Sequence, residues 1–246
     1  FENIVLNGDY EELGSELVPS GTFSSFSVQS GDVTISGDTA SFVDGGTNTN
    51  SRVQLLNVLT ANKIYKVVFS VTRYVAGGVQ IILGGANAVG VNISAGVGTY
   101  TVYITAGSST SVQIKRWGSF PNFDFDLTNI SIKQVDPNDR WTLDSGWSIE
   151  DGKLIATSTD LEATQTNVFT PGNTYEITFT IDSIASGSVK VKAGTSTGTI
   201  RTSAGTYTQI LDVAFGTSLV LDMHASGSCV IDNVIVKEYA ITPLDV

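Results

Sequence analysis

The chain has 246 residues, 41% of them hydrophobic, with 24 acidic against 13 basic side chains and a net charge of −11. That is ample apolar material for a packed core, and the acidic balance argues against nucleic acid and against anionic membrane surfaces as partners. A single cysteine, Cys229, excludes an intrachain disulfide, and no stretch approaches the roughly 18 apolar residues of a membrane span.

The chain opens at Phe1 with no visible signal peptide, as a processed or partial product would. Tyr10–Leu17 is the one stretch whose composition suits a short helix, and Gly14 weakens it. From there on the period is two. Tyr65, Val67, Phe69 and Val71 alternate with Lys66, Val68, Ser70 and Thr72, which places rings and branched side chains on one face of a strand. Tyr175, Ile177, Phe179 and Ile181 alternate with Glu176, Thr178, Thr180 and Asp182 in the same manner. Turn signals such as Ala76-Gly77-Gly78, Ser186-Gly187-Ser188 and Ala225-Ser226-Gly227 separate the runs.

These two strands belong to an internal repeat. Asn57-Val58-Leu59-Thr60 recurs as Asn167-Val168-Phe169-Thr170, and the match runs without a gap to Gly84 and Gly194. Thr99-Tyr100-Thr101 recurs as Thr206-Tyr207-Thr208, and Asn129-Ile130-Ser131-Ile132-Lys133 as Asn233-Val234-Ile235-Val236-Lys237. Upstream, Phe26-Ser27-Val28 with Gly31 and Val33 pairs with Trp147-Ser148-Ile149 with Gly152 and Leu154. The expectation is therefore an all-β protein of two tandem antiparallel β-sandwich domains. The first spans 1–135, with 1–15 as a leading segment, and the second spans 136–246 with a short C-terminal tail. The polar stretch Asp136-Pro137-Asn138-Asp139 marks the boundary.

Several phrases carry a resemblance. Asn7-Gly8-Asp9-Tyr10-Glu11 is similar to the first-strand "NGDFE" phrase of jelly-roll carbohydrate-binding modules, and Glu16-Leu17-Val18 with Gly21 and Phe23 to its phage variant. Gly146-Trp147-Ser148-Ile149 followed by Asp151-Gly152-Lys153-Leu154 resembles their second strand, and Ile231-Asp232-Asn233-Val234 their closing strand. Such modules occur in polysaccharide-degrading enzymes and in bacteriophage virion proteins. Low charge, a Gly/Thr/Ser-rich style and two copies resemble phage tail-fibre, head-fibre or capsid-decoration proteins. The resemblance implies a non-enzymatic structural or adhesion protein on the virion surface, outside cells. Its partners would be other virion proteins and surface glycans, and it would form a homo-oligomer, with a threefold assembly expected by analogy with phage fibres. The alternative is the accessory binding portion of a secreted polysaccharide-degrading enzyme. The resemblance also implies a structural calcium between an early acidic residue and the Asp of the last strand, here Asp232, as the one cofactor; the first copy has Thr128 at that place. Calcium asks for six to eight oxygen ligands, more than the sequence assembles.

Enzyme signatures are missing. His224 is the only histidine, so any Ser/His/Asp triad would have to use it, and it aligns with Trp117, which cannot act as a base. Cys229, flanked by Val230 and Ile231, reads as a buried strand thiol. The candidate binding segment is Arg116-Trp117-Gly118-Ser119-Phe120-Pro121-Asn122-Phe123-Asp124-Phe125, three residues longer than its counterpart in the second copy. Sugars present C–H faces to aromatic rings and hydroxyls to flanking polar groups. Trp117 and Phe120, with Arg116 and Asn122, could form such a platform. Two other readings stand beside it: Trp117 packed on the core, or the segment buried in a protein interface. Trp141 and Trp147 read as core.

Overall fold

The computed structural model describes residues 2–46, 50–85, 87–118 and 121–239. Phe120 lies outside them. Contacts divide the chain into two compact units, one of Leu13–Val135 and one of Phe1–Glu12 with Asp136–Val246. The chain thus leaves the second unit at Glu12 and returns to it at Asp136, so the first is called here the insert and the second the frame. The sequence reading placed 1–15 at the head of the first copy, whereas residues 2–12 pack with 136–239.

The insert is an antiparallel β-sandwich of two five-stranded sheets. Its strands are β1 (Ser27–Ser30), β2 (Val33–Ser36), β3 (Thr39–Val43), β4 (Arg52–Leu55), β5 (Ile64–Ala76), β6 (Val79–Leu83), β7 (Asn87–Val91), β8 (Gly98–Thr105), β9 (Val112–Arg116) and β10 (Asp124–Gln134). One sheet runs β1-β4-β9-β6-β7 and the other β2-β3-β10-β5-β8. Period-two patterning explains the layers, because alternate residues of a strand face opposite sides. Val53, Val79, Ile81, Val112 and Ile114 from one sheet and Phe42, Phe69, Phe125 and Leu127 from the other are all buried in one core. The segment Tyr10–Leu17 is not helical; Leu13 bridges Val135 and Leu17 donates to the Ile132 carbonyl at 3.0 Å. Gly14 and the edge of β10 give that backbone extended partners that a short helix would forgo.

The frame has β11 (Thr142–Leu143), β12 (Trp147–Glu150), β13 (Lys153–Thr159), β14 (Glu162–Gln165), β15 (Thr174–Ala193), β16 (Ser196–Thr197), β17 (Gly205–Asp212) and β18 (Leu219–Glu238). Its two long strands, β15 and β18, do the work of four in the insert. The first half of β18 pairs with β14 and the far half of β15, and its second half with β13 and the near half of β15. Register shifts near Ser183–Ser188 bend the pair between the two layers.

The repeat holds position by position in the strands matched downstream of Asn57. Tyr65 pairs with Ile104 and Phe69 with Tyr100, as Tyr175 pairs with Leu211 and Phe179 with Tyr207, and all four leading residues are buried. The Tyr65 hydroxyl accepts from the Thr60 amide at 2.7 Å, and Tyr175 from Thr170 at 2.8 Å. The upstream match is different. The β2–β3 hairpin pairs Ser36 with Thr39, and the β12–β13 hairpin pairs Glu150 with Lys153. Ala40 then pairs with Leu127 as Leu154 pairs with Ile231. So Val33, not Phe26, corresponds to Trp147, and Phe26 corresponds to Trp141.

The leading segment explains itself by the same comparison. Ile4 donates to the Val236 carbonyl at 2.9 Å, and the Asn3 side-chain oxygen accepts from Val5 and Val236. In the insert Leu17 donates to Ile132 while the Glu16 carboxylate accepts from Val18 and Ile132. Residues 3–10 are thus the frame's own opening segment, and the insert carries a separate one at 16–23.

Candidate functional site

The site begins with three short strands whose outward residues are polar except for Ile82. In β4, β9 and β6 the inward positions are Val53 and Leu55, Val112 and Ile114, and Val79 and Ile81. The outward, half-buried ones are Arg52 and Gln54, Gln113 and Lys115, and Gln80. Register sets them in two cross-strand rows. Arg52 pairs with Lys115, Lys115 with Gln80, and Gln80 with Gly90 of β7. Gln54 pairs with Gln113, and Gln113 with Ile82.

Trp117 closes the first row. It follows β9 directly, and its amide donates to the Gly78 carbonyl at 2.7 Å. It therefore keeps the parity of Lys115 and lies on the outer face. Its ring covers Gly90: a β-carbon at that position would lie 2.4 Å from Cε2. The indole is half-buried, seated over Gly90 on the face that carries Gln80 and Lys115. Stacking on a sugar's C–H face and hydrogen bonding to its hydroxyls need this combination.

Arg116 points the other way. It is buried inside the sandwich with its guanidinium 5.2 Å from the centre of the Phe123 ring, so it shares no platform with Trp117. Asn122 is exposed in the loop before β10. Trp141 and Trp147 are buried, with indole N–H groups donating to the carbonyls of Asn7 and Leu161 at 3.1 Å each. Sequence reasoning missed Arg52, Gln54, Gln80, Gln113 and Lys115. Their alternation was visible, but the order β4-β9-β6, which assembles them, was not.

The equivalent face of the frame is chemically different. Glu162 and Asp222 stand where the insert has Arg52 and Lys115, and Lys190 and Lys192 where it has Gln80 and Ile82. Lys192 contacts Asp222 at 2.7 Å and Glu162 at 2.6 Å, and Lys190 contacts Asp222 at 3.3 Å. Burial alone would lower the Lys192 pKa, but its two carboxylate partners raise it above the ordinary value. His224, in the place of Trp117, is exposed.

Asp232 lies in the frame beside Lys153. One carboxylate oxygen meets the ammonium at 2.5 Å, the other accepts from the Asn233 amide at 2.7 Å, and Asp182 holds the same ammonium at 2.9 Å. These residues do not fit a calcium ion, because a cation already neutralises the carboxylates. No group of three or more His, Cys, Asp or Glu that could hold a metal occurs among the described residues. A cavity of about 310 Å³ lies along the frame's leading segment, lined by Asn3, Asn7, Asp9 and Asn233 among others, with no aromatic ring in its wall.

No protein-family model matches the chain, and no curated protein matches it. Solved structures are similar to the chain at low identity and low TM-score. The tandem CBM22 domains at the N-terminus of Xyn10C from Paenibacillus barcinonensis are 13% identical, with 92% of this chain and 98% of that chain covered and a TM-score of 0.34. A Paenibacillus xanthan lyase is 13% identical over 87% of this chain and 25% of its own, with a TM-score of 0.35. The tandem CBM51 modules of a family 98 glycoside hydrolase from Streptococcus pneumoniae are 11% identical over 87% and 88%, with a TM-score of 0.27. At these values no function follows from the likeness. The fold of this chain, two antiparallel jelly-roll β-sandwiches, stands on its own strand pairing.

Proposed function

We propose that the chain is a non-enzymatic binding protein whose insert holds a glycan on the outer face of the β1-β4-β9-β6-β7 sheet. The observation that carries this reading is Trp117 laid on Gly90 at the end of a row of amide and basic side chains. The ring supplies the stacking surface, and Gln80, Gln54 and Gln113 supply donors and acceptors for hydroxyls. The phage-type opening phrase at Glu16-Leu17-Val18 supports a setting on a virion surface, where several copies would raise avidity.

Binding to a glycan panel, measured alongside thermal melting, tests the proposal. Trp117→Ala should weaken binding about thirty-fold, the equivalent of ~2 kcal/mol, with little change in melting. Gly90→Ala should also weaken it, because the new methyl group displaces the ring without removing it. A melting loss equivalent to about 3–5 kcal/mol with unchanged binding would identify Trp117 as a core residue and refute the proposal.

A further inference from the structure

We infer that the ligand of the insert's face is an anionic glycan, one carrying carboxylate or sulfate groups, and that the frame's equivalent face does not take it. The inference rests on the glycan-binding reading above and adds the charge of the ligand. Arg52 and Lys115 are cross-strand neighbours on that face. Among the described residues neither has a carboxylate partner, and the Arg52 Nε is buried without a hydrogen-bond partner. The outward positions of β4, β9 and β6 hold no Asp or Glu. In a chain of net charge −11, these two adjacent cations share the outer face of the insert's sheet with the indole of Trp117. A guanidinium offers a carboxylate or sulfate two parallel N–H groups, and an ammonium beside it adds a point charge.

The frame supplies the internal control. At the same places in the same sheet Glu162 and Asp222 neutralise Lys190 and Lys192, so an incoming anion would have to break existing ion pairs. It would also find His224 instead of an indole.

The full-length chain should be titrated with oligogalacturonate, a sulfated oligosaccharide, neutral xylo-oligosaccharide and polyglutamate, at about 0.05 and 0.5 M salt. One of the two anionic sugars should bind, and which one identifies the group recognised. That binding should fall at least about ten-fold at high salt and about ten-fold in Lys115→Gln and Arg52→Gln, with unchanged melting curves. It should also fall in Trp117→Ala, while Asp222→Asn leaves it intact. Binding of the neutral sugar alone, lost in Trp117→Ala but indifferent to salt and to Lys115→Gln, would overturn the charge assignment and keep the glycan site. Equal binding of polyglutamate would overturn the assignment of a sugar, and no binding of any glycan would overturn both readings.

Discussion

Trp117 and Arg116 show how much one position along a strand decides. Both were candidates from sequence, as neighbours in an aromatic segment. The alternation that buries Val112 and Ile114 also buries Arg116 and turns Trp117 outward with Lys115, so parity alone separates them. The ring's seat on Gly90 was not legible, since nothing in the sequence pairs β6 with β7 and β9 at once. Cys229 was legible, and its environment gives a prediction. Burial pushes its thiol up to about 12, an effect partly opposed by a hydrogen bond from the Ala156 amide. A raised pKa means that its contribution to stability is complete below the unfolded value near 9.0 and is lost as pH rises towards 12. Tyr10 is also raised, by burial first and then by the charge of Asp232, and adds to the same alkaline loss. Native protein at pH 8 should resist thiol reagents and react once unfolded, and Cys229→Ala should flatten the fall in stability between pH 9 and 12. Rapid labelling of the native protein would contradict this.

Among elements, the frame's opening segment has the clearest consequence. Gly8 donates nothing in side-chain terms, yet its carbonyl accepts from Val234 at 2.8 Å and its Cα lies so close to β18 that a β-carbon would sit 2.2 Å from the Val234 carbonyl oxygen. That contact is with backbone, which cannot swing aside. Gly8→Ala should therefore destabilise the frame by about 1–3 kcal/mol, seen as a lower denaturant midpoint for the signals of Trp141 and Trp147. An unchanged midpoint would mean that residues 2–12 are not part of the frame's sandwich. The motif Asn7–Glu11 was readable as a module opening, but its partner strand lies more than two hundred residues away in sequence, so its allegiance was not. The mismatched hairpin has a similar cause. Phe26 and Trp147 drew attention as aromatics before short strands, while the tight turns at Gly37-Asp38 and Asp151-Gly152, which fix the true correspondence, carry weaker residue similarity.

At the scale of the whole chain, one ancestral pattern has been used twice with different surfaces. The cores correspond down to the Tyr65 and Tyr175 hydroxyls, because buried positions tolerate few alternatives. The outer faces diverge, with Arg52 and Lys115 on one copy and Glu162 and Asp222 on the other, because nothing in the packing constrains them. The fold was therefore largely legible from the repeat, and of the proposed face only Trp117 was singled out in the sequence. The three tryptophans allow a direct test. In a spectrum of ¹⁵N-labelled full-length protein each indole N–H gives its own resonance. Trp141 and Trp147 are locked to the carbonyls of Asn7 and Leu161, whereas Trp117 lies on the outer face of the insert. On titration with an acidic oligosaccharide, the Trp117 resonance should shift and saturate while the other two stay in place. Shifts confined to Trp141 or Trp147, or no shift in any of the three at saturating sugar, would contradict the account.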